Sequence, residues 1–333
     1  MHVLSVSSLK GGVGKTTVAL GLASAAFARG LRTLVIDLDP QCDATTALGA
    51  IGDFRETSAD VLQSPRHNVV HRSIVASTWS QVHAGNIDVM IGSPKVLMFD
   101  TPQPTLSDVW KLEEGLSKIE KQYDLVIIDT PPSINGLTRT AWVSSDRVLI
   151  VTEPSFFSVV ASDRAMKAIA EISSKINKRL KPVGVLVNRF QPQSQEHQFR
   201  INELEEMFGA DLLPVRLEER AAMQQAQGAA RPIHSWPGET AQALALQFDS
   251  VLDIVLGSFD DKARNAKPEL TEVEAPSRRD RKSQKLDKKK AKTQKPKKLS
   301  KAEKRALRRE DGAETVALES FENQFAEFLE EGN

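Results

Sequence analysis

A glycine-rich segment near the amino terminus combines the residue types that bind phosphate groups. Its residues are Lys10, Gly11, Gly12, Val13, Gly14, Lys15, Thr16 and Thr17. Glycines allow successive backbone N–H groups to turn inward toward anionic oxygens. A lysine at this spacing can reach the terminal phosphates of a nucleotide, and a threonine hydroxyl can bind a magnesium ion. The segment therefore predicts a nucleotide site, with Lys15 on the phosphates and Thr16 on Mg²⁺.

The sequence on both sides places this loop between a strand and a helix. Residues 2–8 are an apolar run typical of a strand, and residues 15–29 have a helical pattern that ends near Gly30. The positive end of that helix would lie behind the bound phosphates. A glycine-rich turn without a ligand is the alternative, but Gly-Lys-Thr at a helix start after a strand favours phosphate binding.

Two further predicted strands end in acidic residues. Residues 33–36 lead into Asp37 and Asp39, and residues 125–128 lead into Asp129. The carboxyl ends of parallel strands gather at one edge of a sheet, so these carboxylates should lie beside the phosphate loop. Aspartate also caps helices, which is the alternative role for the first two. An acid that ends an apolar strand is the Walker B arrangement, in which Asp129 would hold a magnesium-bound water.

Strands and helices alternate as far as residue 257. Further strands are predicted at 86–92, 147–153, 182–188 and 212–214, and further helices at 105–122, 158–177, 196–208 and 239–257. The apolar face of the helix at 105–122 would consist of Leu106, Val109, Leu112, Leu116 and Ile119. Residues 53–85 predict short helices and loops. The alternation predicts one α/β domain, residues 1–259, with a mainly parallel sheet flanked by helices.

The loop departs from the usual P-loop in a way that resembles one family. Leu9 stands where most such loops begin with glycine, and a second lysine, Lys10, follows it. This loop, the Asp-Leu-Asp-Pro-Gln sequence from Asp37 and the Asp-Thr-Pro-Pro sequence from Asp129 together resemble the deviant Walker A P-loop ATPases of the ParA/Soj/MinD family. The resemblance covers roughly residues 1–257. It is closest to the short ParA-type partition ATPases, because no helix-turn-helix precedes the loop.

The resemblance implies a role for each of these residues. It implies ATP with Mg²⁺ in the loop, and a homodimer in which Lys10 crosses to the nucleotide of the second subunit. Asp39 would orient the attacking water, and Asp37 would support the magnesium shell. Asn188 would contact the adenine edge, although it is also an ordinary turn residue. The stretch after the strand at 212–214 would pack on the adenine, and Pro214 is included among the nucleotide-binding residues. The catalytic residues implied are Lys10, Lys15 and Asp39.

The carboxyl-terminal extension, residues 260–333, has a different composition. Residues 278–309 contain 17 Lys and Arg, 3 Asp and Glu, and few large apolar residues. Such a stretch cannot bury enough apolar area to fold, so it is predicted to be disordered or transiently helical. It should bind phosphate backbones without reading sequence, which favours non-specific DNA binding. RNA, an acidic protein or a purely solubilising role are the alternatives.

The end of the extension predicts a short acidic amphipathic helix at residues 314–331. Its apolar residues recur at helical spacing: Leu318, Phe321, Phe325, Phe328 and Leu329. A short helix is marginally stable alone, so this one should seek a partner protein, the ATPase domain or the basic stretch. A membrane-surface helix would be basic, and no apolar run approaches the length of a membrane span, so membrane attachment is not expected.

These features predict a cytoplasmic, nucleoid-associated ParA-like ATPase. It would dimerise on ATP, bind DNA non-specifically, and segregate or position a chromosome, plasmid or other cargo. A ParB-like protein or a cargo adaptor would stimulate its slow hydrolysis. The alternatives are a MinD-like regulator of the division site, a positioning ATPase for a protein cargo, a scaffold, or a ligase or tyrosine autokinase with the same fold. The single cysteine, Cys42, excludes an internal disulfide, and the single tyrosine, Tyr123, counts against an autokinase.

Overall fold

Eight strands form one sheet in the computed structural model, which describes residues 1–50, 56–81 and 86–260. The strands are β1 (His2–Ser7), β2 (Thr33–Asp37), β3 (Ile74–Ala76), β4 (Ile87–Met90), β5 (Leu125–Asp129), β6 (Arg147–Thr152), β7 (Lys181–Phe190) and β8 (Leu212–Glu218). Their order across the sheet is β3-β4-β2-β5-β1-β6-β7-β8. Among these described strands, β3 is antiparallel to its neighbour and the others are parallel. The predicted mainly parallel α/β sheet is confirmed.

Helices cover both faces of this sheet. They are α1 (Lys15–Ala28), α2 (Asp43–Ala47), α3 (Ser58–Gln63), α4 (His67–Arg72), α5 (Leu106–Val109), α6 (Lys111–Leu116), α7 (Gly136–Val143), α8 (Phe156–Lys175), α9 (Gln195–Phe208), α10 (Ala221–Gly228) and α11 (Glu239–Gly257). One face packs against α1, α10 and α11, and the other against α3, α6, α7 and α8. Because both faces are covered, the central strands are continuous apolar runs rather than alternating ones.

Helix α1, which follows the phosphate loop, lies between the sheet and α11. Its residues from Val18 to Phe27 are buried on all sides, which explains its lack of a polar face. At Gly21 the ring of Phe248 from α11 is so close that a β-carbon would lie 2.2 Å from it. This close packing fixes the helix whose amino terminus forms one wall of the candidate site.

Two predicted elements differ from the observed ones. The helix predicted at 105–122 is instead α5 and α6, which meet at Trp110. Leu106 is 65% exposed, so its place on the predicted apolar face is wrong, whereas Val109 and Leu112 are buried. Helical spacing indicated a face, but the spacing cannot show that the chain turns within it. The strand predicted at 212–214 continues to Glu218.

The described chain ends just after α11, where Phe259 stacks on His2 with ring centroids 4.2 Å apart. The guanidinium of Arg147 lies over the same ring, 5.4 Å from its centroid. The predicted disordered stretch at 278–309 and the predicted acidic helix at 314–331 lie outside the described residues. Within the described residues, no helix has the length and apolar character needed to cross a membrane.

Candidate active site

The phosphate loop joins β1 to α1, and its glycines take conformations that favour glycine. Gly12 has φ +82° and Gly14 has φ +87°, both in the left-handed region that L side chains rarely adopt. Gly14 is also the residue that precedes α1 and accepts its first backbone hydrogen bond, from Val18. The loop therefore delivers its backbone directly to a helix amino terminus, which is the arrangement that binds phosphate.

Asn188, near the end of β7, lies against this loop. Its Nδ2 donates a hydrogen bond of 2.8 Å to the carbonyl oxygen of Val13, and the residue is 6% exposed. A β-carbon at Gly14 would lie 2.4 Å from the same Nδ2, so the loop and the asparagine fit only with glycine at that position. The structure thus gives Asn188 a role in holding the loop. Its contact with adenine stays a prediction.

Lys15, a buried residue at the start of α1, has no hydrogen-bond or salt-bridge partner among the described residues. The residue is 6% exposed, and its ammonium makes no hydrogen bond or ion pair with the described part of the chain. A buried charge is costly unless an opposite charge accompanies it. The position of this lysine beside the loop therefore fits a site that receives an anion.

Thr16, in the first turn of α1, contacts Asp129 at the end of β5. Thr16 Oγ1 donates to Asp129 Oδ2 at 2.7 Å, while Asp129 Oδ1 is buried with no hydrogen-bond partner in the described chain. Burial raises the pKa of Asp129 to about 8, assisted by the charge of Asp37 and opposed by Thr16 and Lys15. A hydroxyl and an unpartnered carboxylate oxygen are ligands that suit Mg²⁺, so these residues fit the metal predicted for them.

Replacement of Asp129 by asparagine is expected to remove a pH dependence from the stability of the nucleotide-free protein. The folded-state pKa is about 8 against an ordinary 3.8, so the native state keeps a proton that the unfolded chain loses. The stability that this group contributes is complete below its unfolded pKa and is lost as the pH rises through its folded pKa. Urea unfolding from about pH 5 to about pH 9 should therefore show Asp129→Asn gaining roughly 2–4 kcal/mol relative to wild type.

The matched control for this measurement is Asp163→Asn, which removes a carboxylate from a surface ion pair with Lys167. That variant should keep the wild-type pH dependence. If the difference in free energy of unfolding between Asp129→Asn and wild type stays constant across the pH range, the pKa of Asp129 is not raised by burial. Chelator is present throughout, so that no metal ion supplies a compensating charge.

Asp37 ends β2 beside Asp129, and Asp39 lies in the turn that follows. Asp37 lies opposite Asp129 in the neighbouring strand, and its Oδ2 accepts hydrogen bonds from the backbone N–H and hydroxyl of Thr45, at 2.8 and 2.7 Å. Its Oδ1 accepts from the backbone N–H of Asp39 at 3.2 Å. Burial raises the pKa of Asp37 to about 6, although the Thr45 bonds oppose the shift. Asp37 therefore orients the turn that presents Asp39, and its part in a magnesium shell stays a prediction.

Asp39 itself keeps one oxygen available. Its Oδ1 accepts a hydrogen bond of 3.0 Å from the backbone N–H of Gln41, which fixes the carboxylate on the turn after β2. The residue is 7% exposed, and its strand β2 is separated in the sheet by β5 alone from β1, the strand that leads into the phosphate loop. A carboxylate held through one oxygen can accept a hydrogen bond from a water molecule through the other. This geometry suits the role in hydrolysis predicted for Asp39.

A buried hydroxyl network that the sequence did not indicate supports the strand ends. Ser7 Oγ accepts from Trp142 Nε1 at 2.9 Å and lies 3.0 Å from Thr130 Oγ1. Thr130 Oγ1 also donates to the carbonyl oxygen of Val6. These bonds join the end of β1 to the residue after β5 and to α7. The sequence feature that could have indicated this network is the polar residue at the carboxyl end of each apolar strand.

Lys10 does not join Lys15 in the phosphate cradle. Its ammonium contacts the carboxylate of Glu153 and donates to Ser155 Oγ at 3.0 Å. Both partners lie in the turn after β6, the strand that neighbours β1. The sequence prediction missed this pair, although an acid after an apolar strand was the same signal that indicated Asp39 and Asp129. The structure therefore separates the two lysines of the loop.

Thr17 and Pro214 are the remaining residues that the sequence predicts to contact the nucleotide. Thr17 follows Thr16 in the first turn of α1, and its Oγ1 accepts a bond of 3.4 Å from Gln227 of α10. Pro214 is exposed within β8 rather than at its end, because the strand continues to Glu218. A proline inside a strand suits the edge position of β8. The residues that reach the loop edge of β8 come after Pro214, and the contact of this stretch with adenine stays a prediction.

Comparison with known sequences places this site among related proteins. A family model described as an AAA domain matches residues 1–182. An uncharacterized protein of Methanocaldococcus jannaschii is 31% identical over 217 residues, which are 62% of this chain and 81% of that protein. The sporulation initiation inhibitor protein Soj of Bacillus subtilis is 25% identical over 69% of this chain and 89% of its own length. A ParA family protein of Chlamydia muridarum is 29% identical over 71% and 90%.

Solved structures share the fold. The McdA protein of Cyanothece, in a complex with ATP, aligns with a TM-score of 0.65 at 20% identity, over 77% of this chain and 96% of that chain. Cobyrinic acid a,c-diamide synthase of Mycobacterium smegmatis, with bound ADP and magnesium, aligns with a TM-score of 0.63 at 19% identity, over 78% and 96%. One fold supports different activities, so these likenesses show the architecture and leave the function to the residues of the site.

Proposed function

Because this chain belongs to the AAA domain family, as a P-loop ATPase of the ParA/MinD type, we propose that it uses ATP to control its own dimerisation on DNA. The observation that supports this best is the separation of the two loop lysines. Lys15 is buried and forms no hydrogen bond or salt bridge with the described residues, and so is suited to the nucleotide of its own subunit. Lys10 lies outside that cradle in a partly exposed ion pair, where a second subunit can approach it.

Different residues of the site bind the phosphates, hold the metal ion and position the water molecule. The backbone N–H groups of residues 11–15 and the Lys15 ammonium bind the phosphate oxygens. Thr16 and Asp129 would hold Mg²⁺, as ADP and magnesium occur together in a solved protein of the same fold. Bound Mg²⁺ offsets the negative charge of the phosphate oxygens. Asp39 orients a water molecule and accepts a hydrogen bond from it, which is positioning rather than covalent chemistry.

The ATP-bound and ADP-bound states differ in whether the subunits are joined. With ATP bound, Lys10 of each subunit reaches the phosphates of the other and joins two subunits through their nucleotides. Loss of the γ-phosphate removes that contact, so the dimer separates. A ParB-like protein or a cargo adaptor stimulates the slow basal reaction. The cargo is a chromosome, a plasmid or another large assembly, as the resemblance of the loop and strand-end motifs to the ParA/Soj/MinD family implies.

Sedimentation velocity of the full chain tests the proposal. The protein should be monomeric without nucleotide and with Mg-ADP, and dimeric with Mg-ATP. Non-specific duplex DNA should then co-sediment more strongly in ATP than in ADP. A chain that stays monomeric with saturating Mg-ATP would contradict the proposed switch.

Loss of the basic stretch at 278–309 is expected to weaken DNA binding and reduce its dependence on salt. Each phosphate that a basic residue neutralises adds about 0.9 to the slope of log K against log salt on duplex DNA. A variant with Gln in place of the 17 Lys and Arg keeps the length of the extension and removes their charge. Its slope should fall by roughly 5 or more, on the assumption that about a third of these residues contact phosphate.

The control for this variant is removal of residues 314–331, which deletes the acidic end and keeps the basic stretch. That deletion should leave the salt slope unchanged or steeper. Fluorescence anisotropy with a duplex of random sequence measures all three proteins. An unchanged slope in the neutralised variant would leave the basic stretch without a role in DNA binding.

A further inference from the structure

The turn after β6 holds the Lys10 side chain within its own subunit. Nζ of Lys10 contacts the Glu153 carboxylate and donates to Ser155 Oγ at 3.0 Å. Ser155 precedes α8, and its hydroxyl also lies 3.0 Å from Ser158 Oγ and 3.3 Å from the Glu153 carboxylate. The Lys10 and Glu153 side chains are 32% and 23% exposed. The ammonium is therefore held by two oxygens whose own positions are fixed by the turn.

Lys10 cannot contact Glu153 and the nucleotide of a second subunit at the same time. A lysine ammonium is a point charge at the end of one flexible side chain, so it cannot stay on Glu153 and also bind phosphates of another subunit at a distance. Movement to the second subunit breaks the ion pair and the Ser155 hydrogen bond together. The cost of that release is added to the free energy of dimer formation.

The surroundings of the turn leave room for such a movement. Phe156 and Phe157, the first residues of α8, are exposed, the second of them to 73%. The turn follows β6, and the phosphate loop follows the neighbouring strand β1, so both lie at the same edge of the sheet. A second subunit that approaches the loop at this edge meets Lys10 from the side that solvent now occupies.

We propose that Glu153, assisted by Ser155, is a positioning residue that retains Lys10 in the monomer and so raises the protein concentration at which ATP produces dimers. After hydrolysis the same carboxylate takes Lys10 back and favours separation of the subunits. The effect of Glu153 on dimerisation rests on the proposed function, whereas its retention of Lys10 in the monomer does not.

The exposure of the Lys10–Glu153 ion pair sets the expected effect of Glu153 on the dimer dissociation constant. Loss of one partly exposed ion pair changes an equilibrium constant by a few-fold. Formation of a symmetric dimer breaks two such pairs, one in each subunit, so the two effects multiply. Glu153→Gln should therefore lower the dissociation constant of the ATP dimer by about tenfold. Glu153→Asp keeps the charge and should restore part of the wild-type value. Affinity of the monomer for Mg-ADP should not change, because the described side-chain contacts of Glu153 are with Lys10 and Ser155, which lie outside the phosphate cradle.

The first measurement addresses the monomer. Nucleotide-free protein is treated briefly with acetic anhydride, and mass spectrometry compares acetylation of Lys10 with that of Lys175, an exposed lysine of α8. Glu153→Gln should raise the relative reactivity of Lys10 several-fold. Glu205→Gln, which breaks a comparable surface ion pair with Arg216, is the matched control and should leave the reactivity of Lys10 unchanged. Equal Lys10 reactivity in wild type and Glu153→Gln would overturn the proposal.

The second measurement addresses the dimer, by sedimentation equilibrium in Mg-ATP. A tighter dimer for Glu153→Gln, with Glu205→Gln equal to wild type, supports the full proposal. An unchanged or weaker dimer while Lys10 becomes more reactive would overturn the role of Glu153 in dimerisation. If no protein dimerises while Lys10 still becomes more reactive, the proposed ATP switch fails and the retention of Lys10 by Glu153 stands.

Discussion

Substitution of Lys15 by alanine is expected to abolish ATP-dependent dimerisation and to weaken nucleotide binding by about 100-fold or more, or about 3 kcal/mol. Lys15 is a buried cation with no partner in the described chain, placed at the first position of α1 beside the loop. Its removal leaves the phosphates without a positive side chain at the start of α1. It also removes the positive charge that opposes the raised pKa of Asp129. Equilibrium binding of a fluorescent ATP analogue and sedimentation in Mg-ATP measure the two effects.

Comparison with Lys10→Ala separates the roles of the two loop lysines. That variant should bind nucleotide as a monomer with near wild-type affinity, yet fail to dimerise, because Lys10 lies outside the cradle. Lys175→Ala removes an exposed lysine of α8 and should behave as wild type in both assays. Dimers of Lys15→Ala in Mg-ATP, or equal loss of nucleotide binding in both loop variants, would contradict this division.

The sequence predicted the residues at the strand ends well, for a physical reason. Strands buried on both faces are apolar runs, so Asp37 and Asp129 stand out at the points where those runs end. A parallel sheet then brings such ends together, as the register of Asp37 opposite Asp129 confirms. The loop was predicted because glycines at positive φ, such as Gly12 and Gly14, are needed for that backbone.

Contacts between distant parts of the chain could not be predicted in this way. Lys10 and Glu153 meet because β6 lies beside β1, and Asn188 meets the Val13 carbonyl because β7 lies beside β6. Local patterns indicate strands but do not give their order, so they do not show which side chains will pair. The break between α5 and α6 at Trp110 was missed for a related reason. Packing of the chain against its neighbours, rather than helical spacing, decides where such a segment turns.

Substitution of Asp39 by alanine is expected to leave ATP-bound dimers intact and to slow hydrolysis by about 100-fold or more. One carboxylate oxygen of Asp39 is held by the backbone N–H of Gln41 at 3.0 Å, and the other is available to a water molecule. No described contact joins Asp39 to the phosphate loop, so binding of ATP and the crossing of Lys10 do not depend on it. Single-turnover hydrolysis and sedimentation in Mg-ATP, on the same samples, measure the two properties.

Asp39→Asn distinguishes chemistry from local structure. Asparagine keeps an oxygen for the Gln41 N–H bond and so keeps the turn after β2, but it lacks the negative charge that attracts the water proton. If Asp39 acts on the water, both variants hydrolyse slowly and both accumulate as dimers. If asparagine restores the wild-type rate, Asp39 acts only through the turn. Asp43→Asn, in the first turn of α2, controls for the loss of a nearby charge, and a wild-type rate in Asp39→Ala would show that the role assigned to Asp39 is wrong.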